Sequence, residues 1–96
     1  MRSREQIKCL HAVFSGRVQG VGFRFTVYEL AASFDITGFV KNLWDGTVEL
    51  KAEGPLQELH DFLHTIQASR LGRYITKDQI QWVEAGGNFK GFGIEF

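Results

Sequence analysis

Two short stretches of this 96-residue chain combine residue types and spacings that could handle an anion. The first is GRVQGVGFR at 16–24. Its glycines, Gly16, Gly20 and Gly22, let a backbone turn N–H groups inward around negative charge. A helix beginning just after them would add the unsatisfied amides and partial positive charge of its N-terminus. Arg24 would then stand at the second residue of that helix, offering a planar fork of donors to the same oxygens. The spacing matches neither common phosphate loop. The position three after Gly22 is Phe25 instead of glycine, and Gly16 is not followed five residues later by Gly-Lys. The second stretch, KNLWDGTVE at 41–49, contains Asn42, whose amide can both donate and accept. Taken alone, the first stretch also reads as a tight turn before a helix with a surface arginine, and Asn42 as a polar residue flanking a turn.

The elements around these stretches decide whether they meet. KCLHAVFS at 8–15 is rich in β-formers and runs into the glycine-bearing loop, so it predicts a strand. Phe23, Val27, Leu30, Ala31 and Phe34 recur at helical spacing and predict an amphipathic helix over 23–34. Phe39 to Leu43, then Trp44-Asp45-Gly46 and TVELKAE, read as a hairpin. A three-residue loop with Gly46 left-handed sets Val40 opposite Leu50, apolar against apolar, and is preferred to a two-residue loop that would set Lys41 there. In that register Asn42 ends its strand on the face that also carries Val48, Leu50 and Ala52. Leu56, Leu59, Phe62, Leu63 and Ile66 predict a second helix over 56–68, opened by Gly54-Pro55. Residues 69–77 read as polar and irregular, 79–84 as a strand, and 92–96 as another short strand. The order is β-α-β-β-α-β with a possible fifth strand. It predicts an α+β, ferredoxin-like α/β sandwich: a mainly antiparallel sheet of four or five strands with two helices on one face. Right-handed crossovers make the strands flanking the first helix parallel, so the 16–22 loop, the helix N-terminus and Asn42 should share one sheet edge, about 10 Å apart or less.

GRVQGVGFR at 16–24 and GFVKNLWDGTVE at 38–49 resemble, at the expected separation, the two signature blocks of the acylphosphatase family. The resemblance runs from about Lys8 to Gly54, and the closing FGIEF resembles the family's final strand. It departs at LGRYITKDQI, 71–80, where the family often has Gly-Pro shortly after its second helix. The resemblance implies a metal-free, cofactor-free hydrolase that splits acyl phosphates into a carboxylate and inorganic phosphate. Arg24 corresponds to the phosphate-binding arginine and Asn42 to the asparagine that orients the attacking water. The backbone of Arg17, Val18, Gln19, Gly20, Val21 and Gly22 corresponds to the phosphate-binding turn, and Thr47 to a Ser/Thr position supporting the asparagine. A leaving carboxylate, whose conjugate acid has a pKa near ~4, would need no proton from the enzyme.

Composition bounds the alternatives. At 44% hydrophobic with nine Phe, the chain can fill one core, so a single domain over 1–96 is expected, with 1–7 a flexible segment. Eleven basic and eleven acidic residues provide no broad field for a polyanion, so nucleic acid is not an expected partner. KGFGIEF at 90–96 has the look of an RNA-binding strand, but a third strand followed by a helix would be needed there. A non-catalytic regulatory or RNA-binding module of the same fold is the remaining alternative. No apolar run approaches the ~20 residues that cross a bilayer, no secretory apolar segment opens the chain, and Cys9 has no partner; a cytoplasmic monomer is expected. His60, Asp61 and His64 superficially suggest a zinc motif, yet lack the glutamate base and a third ligand. Cys9 reads as an inert buried thiol, and Phe14, Phe39 and Trp44 as packing residues.

Overall fold

Strand β1 (Ile7–Gly16) carries apolar residues at alternate positions, and in the computed structural model of the protein, which describes residues 6–96, Leu10, Ala12 and Phe14 are fully buried on one face. Helix α1 (Phe23–Ala31) buries Phe23, Val27 and Ala31 against that face. Strands β2 (Thr37–Asn42) and β3 (Val48–Pro55) add Val40, Val48, Leu50 and Ala52, and helix α2 (Leu56–Ala68) adds Leu59, Phe62 and Ile66. A short 3-10 turn over Arg70–Tyr74 leads to β4 (Ile75–Glu84), and β5 (Phe92–Glu95) closes the sheet. Tilted ring pairs knit the layers: Phe14 with Phe23 at 5.4 Å and Phe34 with Phe62 at 5.5 Å. Each such pair adds about 1 kcal/mol beyond area burial.

The sheet order is β4-β1-β3-β2-β5. β1 is antiparallel to β3 and β4, β2 is antiparallel to β3, and β5 runs parallel to β2. The two-helix, mainly antiparallel sandwich expected from the sequence is therefore present, with five strands. β1 and β2 are parallel with β3 between them, as the crossover argument requires. The hairpin register is also the preferred one. Val40 faces Leu50 and Asn42 faces Val48, the Leu43 N–H donates to the Thr47 carbonyl at 2.9 Å, and Gly46 has φ 91°.

Three expectations need correction. Helix α1 stops at Ala31, three residues early, because the N–H groups of Ala32, Ser33 and Phe34 bond three residues back and tighten the final turn. β4 begins at Ile75, within the stretch read as irregular; as an edge strand it needs only the backbone of β1, so its polar outward side chains conceal it from periodicity. The flexible segment expected over 1–7 lies outside the described residues at 1–5, while Ile7 already belongs to β1.

The β4–β5 connection crosses the uncovered face of the sheet. The buried Glu53 carboxylate accepts N–H bonds from Gly86 (2.8 Å) and Gly87 (3.0 Å), and Phe39 meets Phe89 edge-on at 5.9 Å. Phe14 and Phe39 are packing residues, as expected. Trp44 is not: it is 97% exposed at the hairpin tip.

Gly16 ends β1 at φ 124°, where an added Cβ would lie 2.2 Å from the Tyr74 carbonyl oxygen. An added Cβ at Gly46 would meet nothing within 4 Å. Gly16→Ala should therefore cost about 3 kcal/mol or more, through strain and a backbone clash, whereas Gly46→Ala should cost about 1–2 kcal/mol, through strain alone. Equal shifts of the two urea midpoints would contradict this placement of the loop.

Candidate active site

The loop after β1 is held at four points. The Arg17 N–H donates to the Tyr74 carbonyl at 3.0 Å. Val18 is fully buried and anchors the middle of the loop in the core. The Gln19 side chain reaches across to the β2–β3 hairpin, where its Nε2 donates to the carbonyls of Leu43 (2.8 Å) and Thr47 (2.9 Å). Arg70, from the 3-10 turn, donates both terminal nitrogens to the Val21 carbonyl at 3.2 Å and Nη2 to the Thr26 hydroxyl at 2.8 Å.

Between these anchors the backbone is left open. Gly20 and Gly22 have φ of 80° and 76°, and Gly22 precedes α1 without any side-chain cap. The first return bond of the helix is Thr26 N–H to the Gly22 carbonyl, at 3.0 Å. Among the described residues, no acceptor takes the N–H groups from Gln19 to Phe25. A helix N-terminus with its dipole and several free donors thus opens onto a cleft of about 270 Å³.

Arg24 and Asn42 both line that cleft, together with Val18, Gly20 and Gly22. Arg24 is half-buried. Its Nη1 contacts the Glu95 carbonyl at 3.3 Å and its guanidinium lies 4.8 Å from the centre of the Phe96 ring. One donor is used there, which leaves the rest of the fork for a ligand. Asn42 ends β2, half-buried, and among the described residues its side-chain amide makes no hydrogen bond. Arg24 carries the only ionisable side chain among the described residues that line the cleft.

Arg17 and Thr47 both make bonds within the protein. The Arg17 amide is engaged by Tyr74, so the free cradle begins after it. The Thr47 hydroxyl donates to Asp45 Oδ1 at 2.6 Å, not to Asn42, and the Thr47 N–H donates to the same oxygen at 3.1 Å. These bonds, the hydroxyl's first, pull the Asp45 carboxyl below its ordinary pKa. Thr47 serves the site through its carbonyl, which receives both Gln19 and Leu43.

The discounted residues lie elsewhere. His60 stacks on Trp82 with ring centres 4.6 Å apart, and His11 Nε2 pairs with Glu49 Oε2 at 2.8 Å within the sheet. Cys9 is buried, and burial followed by the charge of Glu53 raises its thiol pKa, opposite to what a nucleophile needs. Sequence reasoning missed the side-chain roles of Gln19, Arg70 and Phe96. Parallel pairing of β5 with β2 would have brought Phe96 to this edge, but no spacing marks Arg70.

A family model described as Acylphosphatase matches residues 10–94. An acylphosphatase of Caldanaerobacter subterraneus subsp. tengcongensis is 38% identical over 87 residues, covering 91% of this chain and 97% of its own. An acylphosphatase of Thermus thermophilus is 43% identical over 86 residues, covering 88% and 96%. The crystal structure of an acylphosphatase from Bacillus subtilis superposes with a TM-score of 0.85 at 31% identity, over 95% of this chain and all of the other.

Removing the Gln19 clamp leaves each carbonyl with another donor, since Leu43 also accepts from Gly46 and Thr47 from Leu43. Gln19→Ala should therefore cost only the two bonds, about 2 kcal/mol in urea unfolding. A loss below about 0.5 kcal/mol would show that the loop is held without them.

Proposed function

The chain belongs to the acylphosphatase family, its activity is that of an acylphosphatase, and from this premise we propose that Arg24, Asn42 and the backbone of the loop before α1 hydrolyse the carboxyl–phosphate bond of acyl phosphates. One observation carries this assignment of roles: Arg24 and Asn42 converge on a single cleft over uncommitted backbone N–H groups.

The phosphoryl oxygens accept from the loop and helix amides and from the Arg24 fork, which together neutralise charge on the equatorial oxygens. Asn42 takes a hydrogen bond from a water and aims its lone pair at phosphorus, opposite the acyl oxygen. The new O–P bond forms as the acyl O–P bond breaks, the bonding pair departs with the carboxylate, and the proton of the water passes to solvent. The leaving carboxylate is stable unprotonated at neutral pH, which suits a cleft whose only ionisable side chain among the described residues is a permanent cation. Inorganic phosphate, the product, should compete for the same cradle. Thr47 and Gln19 support Asn42 indirectly by fixing the hairpin neck beside it.

Action as a cytoplasmic monomer, without metal, cofactor or nucleic-acid partner, belongs to the same reading. The balanced charge and the single buried cysteine favour it, and among the described residues no helix is long and apolar enough to cross a membrane.

Purified protein should release phosphate from a simple acyl phosphate in the presence of a chelator, and should leave alkyl phosphomonoesters intact. An alkoxide leaving group is about 11 pKa units less favourable than a carboxylate. Asn42→Ala should lower kcat roughly 10²-fold with phosphate affinity retained, whereas Arg24→Lys should weaken phosphate and substrate together. Hydrolysis of alkyl phosphates, or equal loss of phosphate binding and turnover in Asn42→Ala, would refute these roles.

A further inference from the structure

We propose that Arg70 is a positioning residue for the reaction, acting by locking one peptide plane of the phosphate cradle. The inference rests on the cradle assignment above and extends it to a residue outside the cleft. Both terminal nitrogens of Arg70 donate to one acceptor, the Val21 carbonyl, at 3.2 Å each. That carbonyl belongs to the same rigid peptide unit as the Gly22 N–H. Among the described residues no peptide bond is cis, so the carbonyl and the N–H lie in that plane and point in opposite directions. A carbonyl held toward Arg70 therefore sends the Gly22 N–H away from Arg70, and Gly22 is one of the residues that line the cleft.

Gly22 could otherwise turn readily. It has no Cβ, and among the described residues the loop has no other side-chain bond between the Gln19 clamp and α1. The guanidinium packs against it so closely that a Cβ on Gly22 would lie 3.2 Å from Arg70 Nη2. The third bond, Nη2 to the Thr26 hydroxyl at 2.8 Å, fixes Arg70 to the first turn of α1, so the plane is set relative to the helix that carries Arg24. A lysine could keep the positive charge but could not bridge Val21 and Thr26 with a planar fork. Arg70 also adds charge beside an anion site in a chain whose formal net charge is zero.

The test compares the parent, Arg70→Met, Arg70→Lys and Thr26→Val, titrating each with inorganic phosphate while following the Gly22 backbone amide by NMR. In the parent, phosphate should shift the Gly22 amide proton strongly downfield. In both Arg70 variants the dissociation constant should rise about tenfold, the scale of one lost bond to a charged group, and the Gly22 shift should fall to less than half. KM should rise with the dissociation constant, with kcat changed less. Thr26→Val removes one leg of the bridge without touching charge, and should raise the dissociation constant about twofold; it keeps the question open to measurement should Arg70→Met fail to fold. Phosphate affinity within twofold of the parent in the Arg70 variants, with an unchanged Gly22 response, would overturn the role of Arg70 alone. Parental affinity in Arg70→Lys would overturn the peptide lock in favour of charge. A parent whose Gly22 amide ignores phosphate would overturn both the cradle assignment and this inference.

Discussion

The crossover through α1 leaves β1 and β2 parallel, and everything at the cleft depends on that relation. Two parallel strands end at the same edge. The loop leaving β1 therefore hangs beside the last residue of β2, although Gly22 and Asn42 belong to different elements. β3 fills the gap between the two strands and sets their separation at two ladder spacings, about 10 Å. β5 repeats the relation on the other side of β2, and its parallel pairing brings Glu95 and Phe96 against Arg24. The apolar face beneath maintains this arrangement, because a one-residue slip of β2 would turn Val40 and Asn42 to the uncovered side of the sheet.

On that frame the backbone shares in the positive potential at the cleft. The chain has no net charge to attract an anion at a distance, and among the described residues the cleft lining contributes one side-chain cation, Arg24. Further positive potential comes from peptide dipoles at an uncapped helix start, and dipoles act only in a fixed orientation. Hence the number of anchors spent on so short a loop: Tyr74 at its start, the core under Val18, the hairpin through Gln19 and the 3-10 turn through Arg70. Two of them reach elements on either side, so loop, hairpin and helix start are tied to one another.

What the sequence revealed, and what it concealed, follows from the range of the interactions. The second helix was legible at both ends because five apolar residues keep helical spacing and Pro55 precedes it. The hairpin register was legible because only one alignment pairs Val40 with Leu50. The end of α1 was not, since Phe34 keeps the helical stripe and remains packed on Phe62 after the chain has left the helix. The beginning of β4 was hidden because an edge strand with polar outward side chains has no alternation to read. At the cleft, Arg24 and Asn42 were legible as residue types in a known pattern. The bonding of Thr47 was not legible, because its hydroxyl is taken by an aspartate two residues away while its carbonyl receives Gln19. Arg70 was invisible, because its partners lie about half the chain away and nothing local marks the pairing.

Sequence separation also bears on the order in which the molecule is made. The contacts that shape the cleft join Gln19 to Leu43, Val21 to Arg70 and Arg24 to Glu95, each across a longer loop than the last. Loop closure is paid in chain entropy before any contact returns it, so such pairings come late along a folding route, and sheets built from them form in milliseconds to seconds instead of microseconds. A chain that has formed α1, α2 and the central hairpin but has not yet docked β5 would hold its glycine loop and lack the wall against which Arg24 rests. The cleft thus takes its final shape only when the last strand of the chain is in place, since Arg24 rests on Glu95 and Phe96.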